Sequence, residues 1–371
     1  MSGYEATVNE ALDRVANLGY ERTGGELANH APMGAETIAV LGYFDAVGPW
    51  IENYRRGQEH YDPPESSNRI DAAEESSWRS ALGVFGRAGD WERLFRRELA
   101  DEPWRAVLAR WWPRLITGVF AGMTHGVIRT AHAVRGLAAV AEPSPLQLDE
   151  LSRGMAYWAA RFVHLPGNTT FDAQGGFAAA VAALPREGLA EASNLGELRQ
   201  AWSRIDEVPG YSEALRAPGP AEAQWLLSEM TAEFAGVFLA HPEFVPAPAL
   251  VHAVTAPAAV RLVLPHLPAE QHLASVGELW KMQAALLTTF TVGRQGEDAA
   301  RTLAGEAEQL GFPELAARAV EHGDEHVIKF TEACMREHAL RPDARYAAAV
   351  LSAQQRIPRG AGTNARRIVS G

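Results

Sequence analysis

The sequence predicts an all-α fold, on three observations. Apolar residues recur at three- and four-residue steps, alanine is plentiful, and neither Asn-Gly turns nor runs of alternating β-branched residues occur. Between Tyr4 and Leu18 the pattern sets Val8, Leu12, Val15 and Leu18, with Ala11, on one face. The stretches "LQLDELSRGMAYWAARFV" (146–163) and "AEAQWLLSEMTAEFAGVFLA" (221–240) repeat it, and about a dozen or more helices are expected along the chain. They should end where Pro and Gly cluster, at 60–69, 141–145, 164–168, 216–221 and 241–248. None of these breaks is long enough for an interdomain linker, and no repeat of fixed period emerges. The expectation is one large helical domain, or two tightly packed helical subdomains, over 1–355, with an internal cavity for a metal and a substrate. The remainder, 356–371, is glycine-rich with four arginines and no apolar stripe, and reads as a flexible basic tail.

Composition narrows the classes of function. The net charge of −12 argues against nucleic acid or an anionic membrane as partner, since both need a basic face. A single cysteine, Cys334, excludes an internal disulfide and fits a reducing compartment. The N-terminus has no basic start followed by an apolar run, so no signal peptide is visible, and a cytoplasmic location is expected. The longest uncharged stretches are broken by prolines or a histidine and do not read as membrane spans. A dinucleotide-binding G-x-G-x-x-G, a Walker loop, a G-x-S-x-G elbow and a C-x-x-C are all missing. "HGDEH" (322–326) fails as a zinc-protease helix because Gly323 stands where that motif needs glutamate.

The chemistry that remains lies in twelve histidines. His60, His164, His241, His266, His272 and His338 sit beside prolines or at helix ends, where imidazoles cap and solvate. Four places differ. His30 precedes Ala31-Pro32, where proline favours the first turn of a helix. His125 and His132 stand seven residues apart on one helix, about 10.5 Å along its axis, so both reach one ion only by leaning together. Gly118, Gly122, Gly126 and Gly136 around them leave room for close approach. His252 is set among small apolar residues, and so is His326; a satisfied core histidine is the default reading of such a setting, and a ligand facing a cavity the alternative. His322 is excluded from the helix of His326, because Gly323-Asp324 reads as a helix start with Asp324 as its N-cap. Imidazoles converging from several segments would make a nitrogen-rich site for zinc, copper, nickel or iron.

"NHAPM" (29–33), "THGVIRTAHAVRGL" (124–137), "YWAARF" (157–162), "HAVTAPAAVRLVLPHL" (252–267) and "DEHVIKFTEAC" (324–334) together resemble the questin oxidase-like family. The resemblance runs from about residue 5 to 355. It implies an oxygenase that opens an anthraquinone-type ring in aromatic polyketide metabolism, with dioxygen and a small aromatic molecule as substrates. It further implies a non-haem ferrous iron, or another divalent ion, held by four histidines and a carboxylated lysine. On this chain the candidate ligands are His30, His125, His132, His252, His326 and Lys329, with His132 the one suspected of standing behind the ligands. Lys329, His132 and Arg129 are the candidate catalytic residues. Tyr157, Trp158 and Arg161 are candidate substrate contacts, and Phe162 and Trp280 could join the same aromatic wall, although core packing is the alternative role for these rings.

A lysine in an apolar stripe fits that ligand set. Burial disfavours the ammonium, and a neutral amine can add carbon dioxide to become an anionic carbamate ligand. The alternative is that Lys329 reaches solvent or pairs with Glu325 or Glu332. NADPH, once ascribed to such reactions, has no binding motif here. A metal-free, NADPH-dependent Baeyer–Villiger enzyme of the same fold is therefore the competing reading, and a non-enzymatic helical binding protein is the other.

Overall fold

The computed structural model describes residues 3–23, 27–190, 195–219, 222–241, 248–300 and 306–359. Its architecture is all-α. An N-terminal trio, α1 (Gly3–Val15), α2 (Ala31–Val40) and α3 (Phe44–Gly57), is followed by α4 (Glu75–Ala81), α5 (Ala88–Asp101) and α6 (Trp104–Leu115). Next come α7 (His125–Ala138), α8 (Pro145–Ala160), α9 (Phe177–Ala183), α10 (Leu195–Trp202) and α11 (Tyr211–Ala214). The C-terminal part holds α12 (Ala223–Ala240), α13 (Pro248–Val263), α14 (His272–Phe290), α15 (Glu297–Ala300), α16 (Glu306–His322), α17 (Glu325–Leu340) and α18 (Ala344–Arg356).

The starts of these helices are written locally. Ser144 caps α8: its Oγ accepts from the Gln147 N–H at 3.2 Å, and the Gln147 side chain accepts from the Ser144 N–H at 2.9 Å, with Pro145 in the first turn. Asp343 caps α18 by accepting from the Arg345 N–H. Pro257 lies inside α13, where its missing N–H deprives the Ala253 carbonyl of its helical donor. The Gln283 amide of α14 donates to that carbonyl at 2.7 Å, so a neighbouring helix repairs the break.

Two apolar clusters result. The larger gathers α4–α14 and the C-terminal helices around a tryptophan-rich centre of Trp78, Trp91, Trp111, Trp112 and Trp158. The smaller packs α1–α3 together with Ile328 of α17. Helix α13 packs against α7, α12, α14 and α17, and α2 against α7 and α17, which brings four histidine-bearing helices into one neighbourhood. The glycines of α7 permit this closeness. A Cβ on Gly126 would stand 2.7 Å from the Trp158 Cα of α8. Gly126→Val is therefore expected to cost about 1–3 kcal/mol in urea denaturation, since α7 cannot back away without disturbing the centre.

Two features depart from the expectation. A short parallel pair, β1 (Thr170–Ala173) and β2 (Arg216–Pro218), joins residues that no strand periodicity marks. The presumed tail also starts inside the fold: Arg356 ends α18 and donates to the Phe238 and His241 carbonyls, and Ile357 is buried. The rest of that segment, 360–371, lies outside the described residues. Among the described residues one stretch, Ala249–His266, is long and apolar enough to cross a membrane, but 78% of it is buried within the protein, as a core helix would be.

Candidate metal centre

Four imidazoles meet where the N-terminal ends of α2, α7 and α17 face the side of α13. His30 is the residue before α2. Its own N–H donates to the Tyr54 hydroxyl at 2.8 Å, while Asn29 Oδ1 accepts from Ala31 N, fixing the turn that carries the ring. His125 opens α7 after three successive residues in the left-handed region, Gly122, Met123 and Thr124, with φ of 54°, 53° and 71°. Two of these are not glycine, and each costs on the order of 1 kcal/mol in backbone strain. That turn lets the Gly122 carbonyl accept from His125 Nδ1 at 2.6 Å, which leaves Nε2 as the free nitrogen. His326 lies in the first turn of α17, where Asp324 Oδ1 accepts from the His326 and Val327 N–H groups at 2.8 and 3.1 Å and stands 3.4 Å from His326 Nδ1. His252 projects from α13.

Ring centroids measure the convergence: 4.4 Å between His30 and His125, 4.7 Å between His30 and His326, 4.5 Å between His125 and His252, and 5.9 Å between His252 and His326. Ligand nitrogens of His30, His125 and His326 all lie within 4.8 Å of one another. Nitrogens sharing one ion at about 2.1 Å are at most about 4.2 Å apart, so small side-chain adjustments would close the set. Lys329 Nζ sits 3.4 Å from His30 Nδ1, one turn beyond His326 on α17. It is 4% exposed and has no ion pair among the described residues, so it neither reaches solvent nor pairs with Glu332, which Arg135 and Arg336 already occupy.

Burial governs the charges. Desolvation pulls His30, His125 and His252 far below the usual imidazole range, and the neighbouring Lys329 and histidines add to it, so all three present neutral rings at neutral pH. Burial also lowers the Lys329 amine to about 8, against the opposing pull of Glu325 and Asp324. Among the described residues, His125 Nε2 and both ring nitrogens of His252 are buried without a well-aligned hydrogen-bond partner, although the Met123 carbonyl lies close enough to His252 to oppose the fall in its pKa. Buried polar atoms are rarely left so, and three orphaned imidazole nitrogens in one spot fit a bound cation.

Several expected residues have other work. His132 stands apart from the four rings: its Nδ1 lies 2.7 Å from Glu36 Oε2, inside a buried network in which Arg135 bridges Glu36 and Glu332. Both oxygens of Glu150 accept from Arg129 at 2.6 and 2.7 Å, leaving its Nη1 buried without a partner among the described residues, and both oxygens of Glu21 accept from Arg161. Tyr157 donates to Glu21 and stacks on Tyr20. Trp158 donates to the Gly118 carbonyl and meets Trp112 edge-on. Trp280 donates to the Ala214 carbonyl, and Phe162 packs over Gly118. Tyr157, Trp158 and Trp280 are buried in the core, and Phe162 is half-buried. The crevice beside His132, between Glu36, Pro32 and Glu150, has room for about 20 Å³, enough for one water and far too small for a polycyclic ring.

Sequence reasoning offered Glu325 only as an ion-pair partner for Lys329 and missed its place beside His30. Its carboxylate lies 3.6 Å from His30 Nδ1 and 3.8 Å from Arg22, and its signal was hidden because a glutamate in a first helical turn is ordinary. No protein-family model matches the chain, and no curated protein matches it.

Proposed function

We propose that the protein is a non-haem iron-dependent oxygenase of the questin oxidase-like kind, inserting oxygen beside a ring ketone of an anthraquinone-like aromatic polyketide and cleaving the adjoining carbon–carbon bond. The observation that carries the reading is the meeting of His30, His125, His252 and His326, drawn from four separate segments, beside a desolvated Lys329. The first four would hold the ion through neutral nitrogens, with Lys329 as carbamate supplying the anionic oxygen. Iron there would supply a Lewis acid for an ionised phenol and one-electron chemistry with dioxygen.

The chain's own residues do the rest. Asp324 and the Gly122 carbonyl orient the rings of His326 and His125, so each keeps one nitrogen for the centre. Glu325 sits against His30 and balances positive charge at the site. A hydroquinone substrate brings two electrons of its own, which fits the lack of a nicotinamide motif. The setting that suits this reading is the cytoplasm, with a small aromatic molecule and dioxygen as partners.

Elemental analysis of protein purified without chelator, paired with oxygen uptake on anthrahydroquinones, tests the proposal. Stoichiometric iron that His252→Ala eliminates together with oxygen uptake is the expected result. Full activity in metal-free protein removes the proposal, and chelator-resistant uptake that needs NADPH selects the metal-free alternative.

A further inference from the structure

Arg93 and Arg97 stand four residues apart on the outer side of α5, and Arg69 in the preceding loop faces them across a groove floored by the buried Ile70 and Leu94. The groove encloses about 220 Å³, and Arg93 joins it to a second hollow of about 260 Å³ bordered by Arg96, Ser66 and Gly89. All three arginines are exposed, and among the described residues none has an ion pair or a side-chain hydrogen bond. That is unusual in a chain with 46 acidic and 34 basic residues, where the nearby Arg87 and Arg96 are engaged by Asp90, Glu92 and Asp149.

The carboxylates at the rim are already committed. Asp90 accepts from the N–H groups of Ser67 and Asn68 at 2.8 Å and from the Ser66 hydroxyl, besides Arg87, which also holds the loop wall in place. Glu92 accepts from Tyr20 and pairs with Arg96. The groove therefore presents net positive charge. Two like charges at i and i+4 disfavour the helix, so folding gives no reason for them. Guanidinium groups bind planar oxyanions through paired hydrogen bonds, and three of them around a concave, preformed wall suit a ligand with more than one such group.

We propose that this groove binds a small phosphorylated molecule, with a diphosphate-like pair of oxyanions between Arg69, Arg93 and Arg97. A concave recess favours a small ligand over a protein face. The inference is independent of the metal centre. Titrating the full chain with inorganic pyrophosphate by calorimetry at low ionic strength tests it, with saturable one-to-one binding expected that weakens as salt rises. The double change Arg93→Glu and Arg97→Glu should weaken binding at least about tenfold, while Arg56→Glu, on α3, leaves it within about twofold. Thermal melting checks that each variant keeps its fold. Absent saturation, or binding indifferent to the charge reversals, overturns the proposal. So does capture of an acidic polypeptide at these arginines that pyrophosphate fails to displace.

Discussion

Lys329→Met is expected to raise the stability of the metal-free protein by about 1–3 kcal/mol while abolishing its metal binding. The amine is lowered to about 8 by burial, so at neutral pH most molecules carry a charge the fold disfavours. A shift of this size, already net of the opposing pull of Glu325 and Asp324, corresponds to about 3 kcal/mol, and methionine of similar volume removes the penalty. The same shift explains why the residue is useful. A pKa near 8 leaves about one amine in ten unprotonated at pH 7, against fewer than about one in a thousand for an ordinary lysine, and the neutral amine is what adds carbon dioxide. Urea denaturation of the metal-free forms, set beside the metal content of each as purified, separates the outcomes. A lysine that merely packs would do the reverse: its replacement would lose stability and leave metal content unchanged.

Much of this site was legible in the sequence because its ligands announce themselves through local rules. Pro32 marks the start of α2 and so places His30 at a helix end. Gly323-Asp324 marks the start of α17, which separates His322 from His326; His322 indeed ends α16 and lies 3.0 Å from the Ile357 carbonyl. The helical repeat found the core faces of α1, α8 and α12 for the same reason, since i, i+3, i+4 spacing is a property of a single segment.

What was not legible depends on partners far away in the chain. Arg129 and Arg161 resemble anion-binding groups until Glu150 and Glu21 are seen to occupy them, across 21 and 140 residues. His132 shares a helix face with His125, but Glu36, 96 residues earlier, draws it into a separate network. Trp158 and Tyr157 carry no mark that distinguishes a pocket wall from a core, because burial of an aromatic ring serves both. The β1–β2 pair joins two short segments whose alternation is too brief to register.

Acid should unfold the metal-free protein early and steeply. His30, His125 and His252 have folded pKa values far below the unfolded value of about 6.5, so as pH falls through that value the unfolded chain takes up three protons that the folded chain refuses. The sign is then fixed: stability is intact above about pH 7 and falls below 6.5 by about 1.4 kcal/mol per pH unit for each histidine. Together they cost about 4 kcal/mol at pH 5.5, a large share of the 5–15 kcal/mol typical of a folded domain. The carboxylates act later. Glu36 and Glu332 are held down at about 2 chiefly by Arg135, so their contribution is lost only as pH drops from about 4.5 toward 2, well after the histidines have acted. Urea midpoints followed from pH 8 to pH 5 measure the slope. Replacing His252 with glutamine should lessen it by about one proton's worth, and a divalent ion that occupies the imidazole lone pairs should hold the profile flat to lower pH. A profile without a break near 6.5 would mean that the three rings accept protons where they stand, and that the polar poverty around them, on which the metal reading rests, is not there.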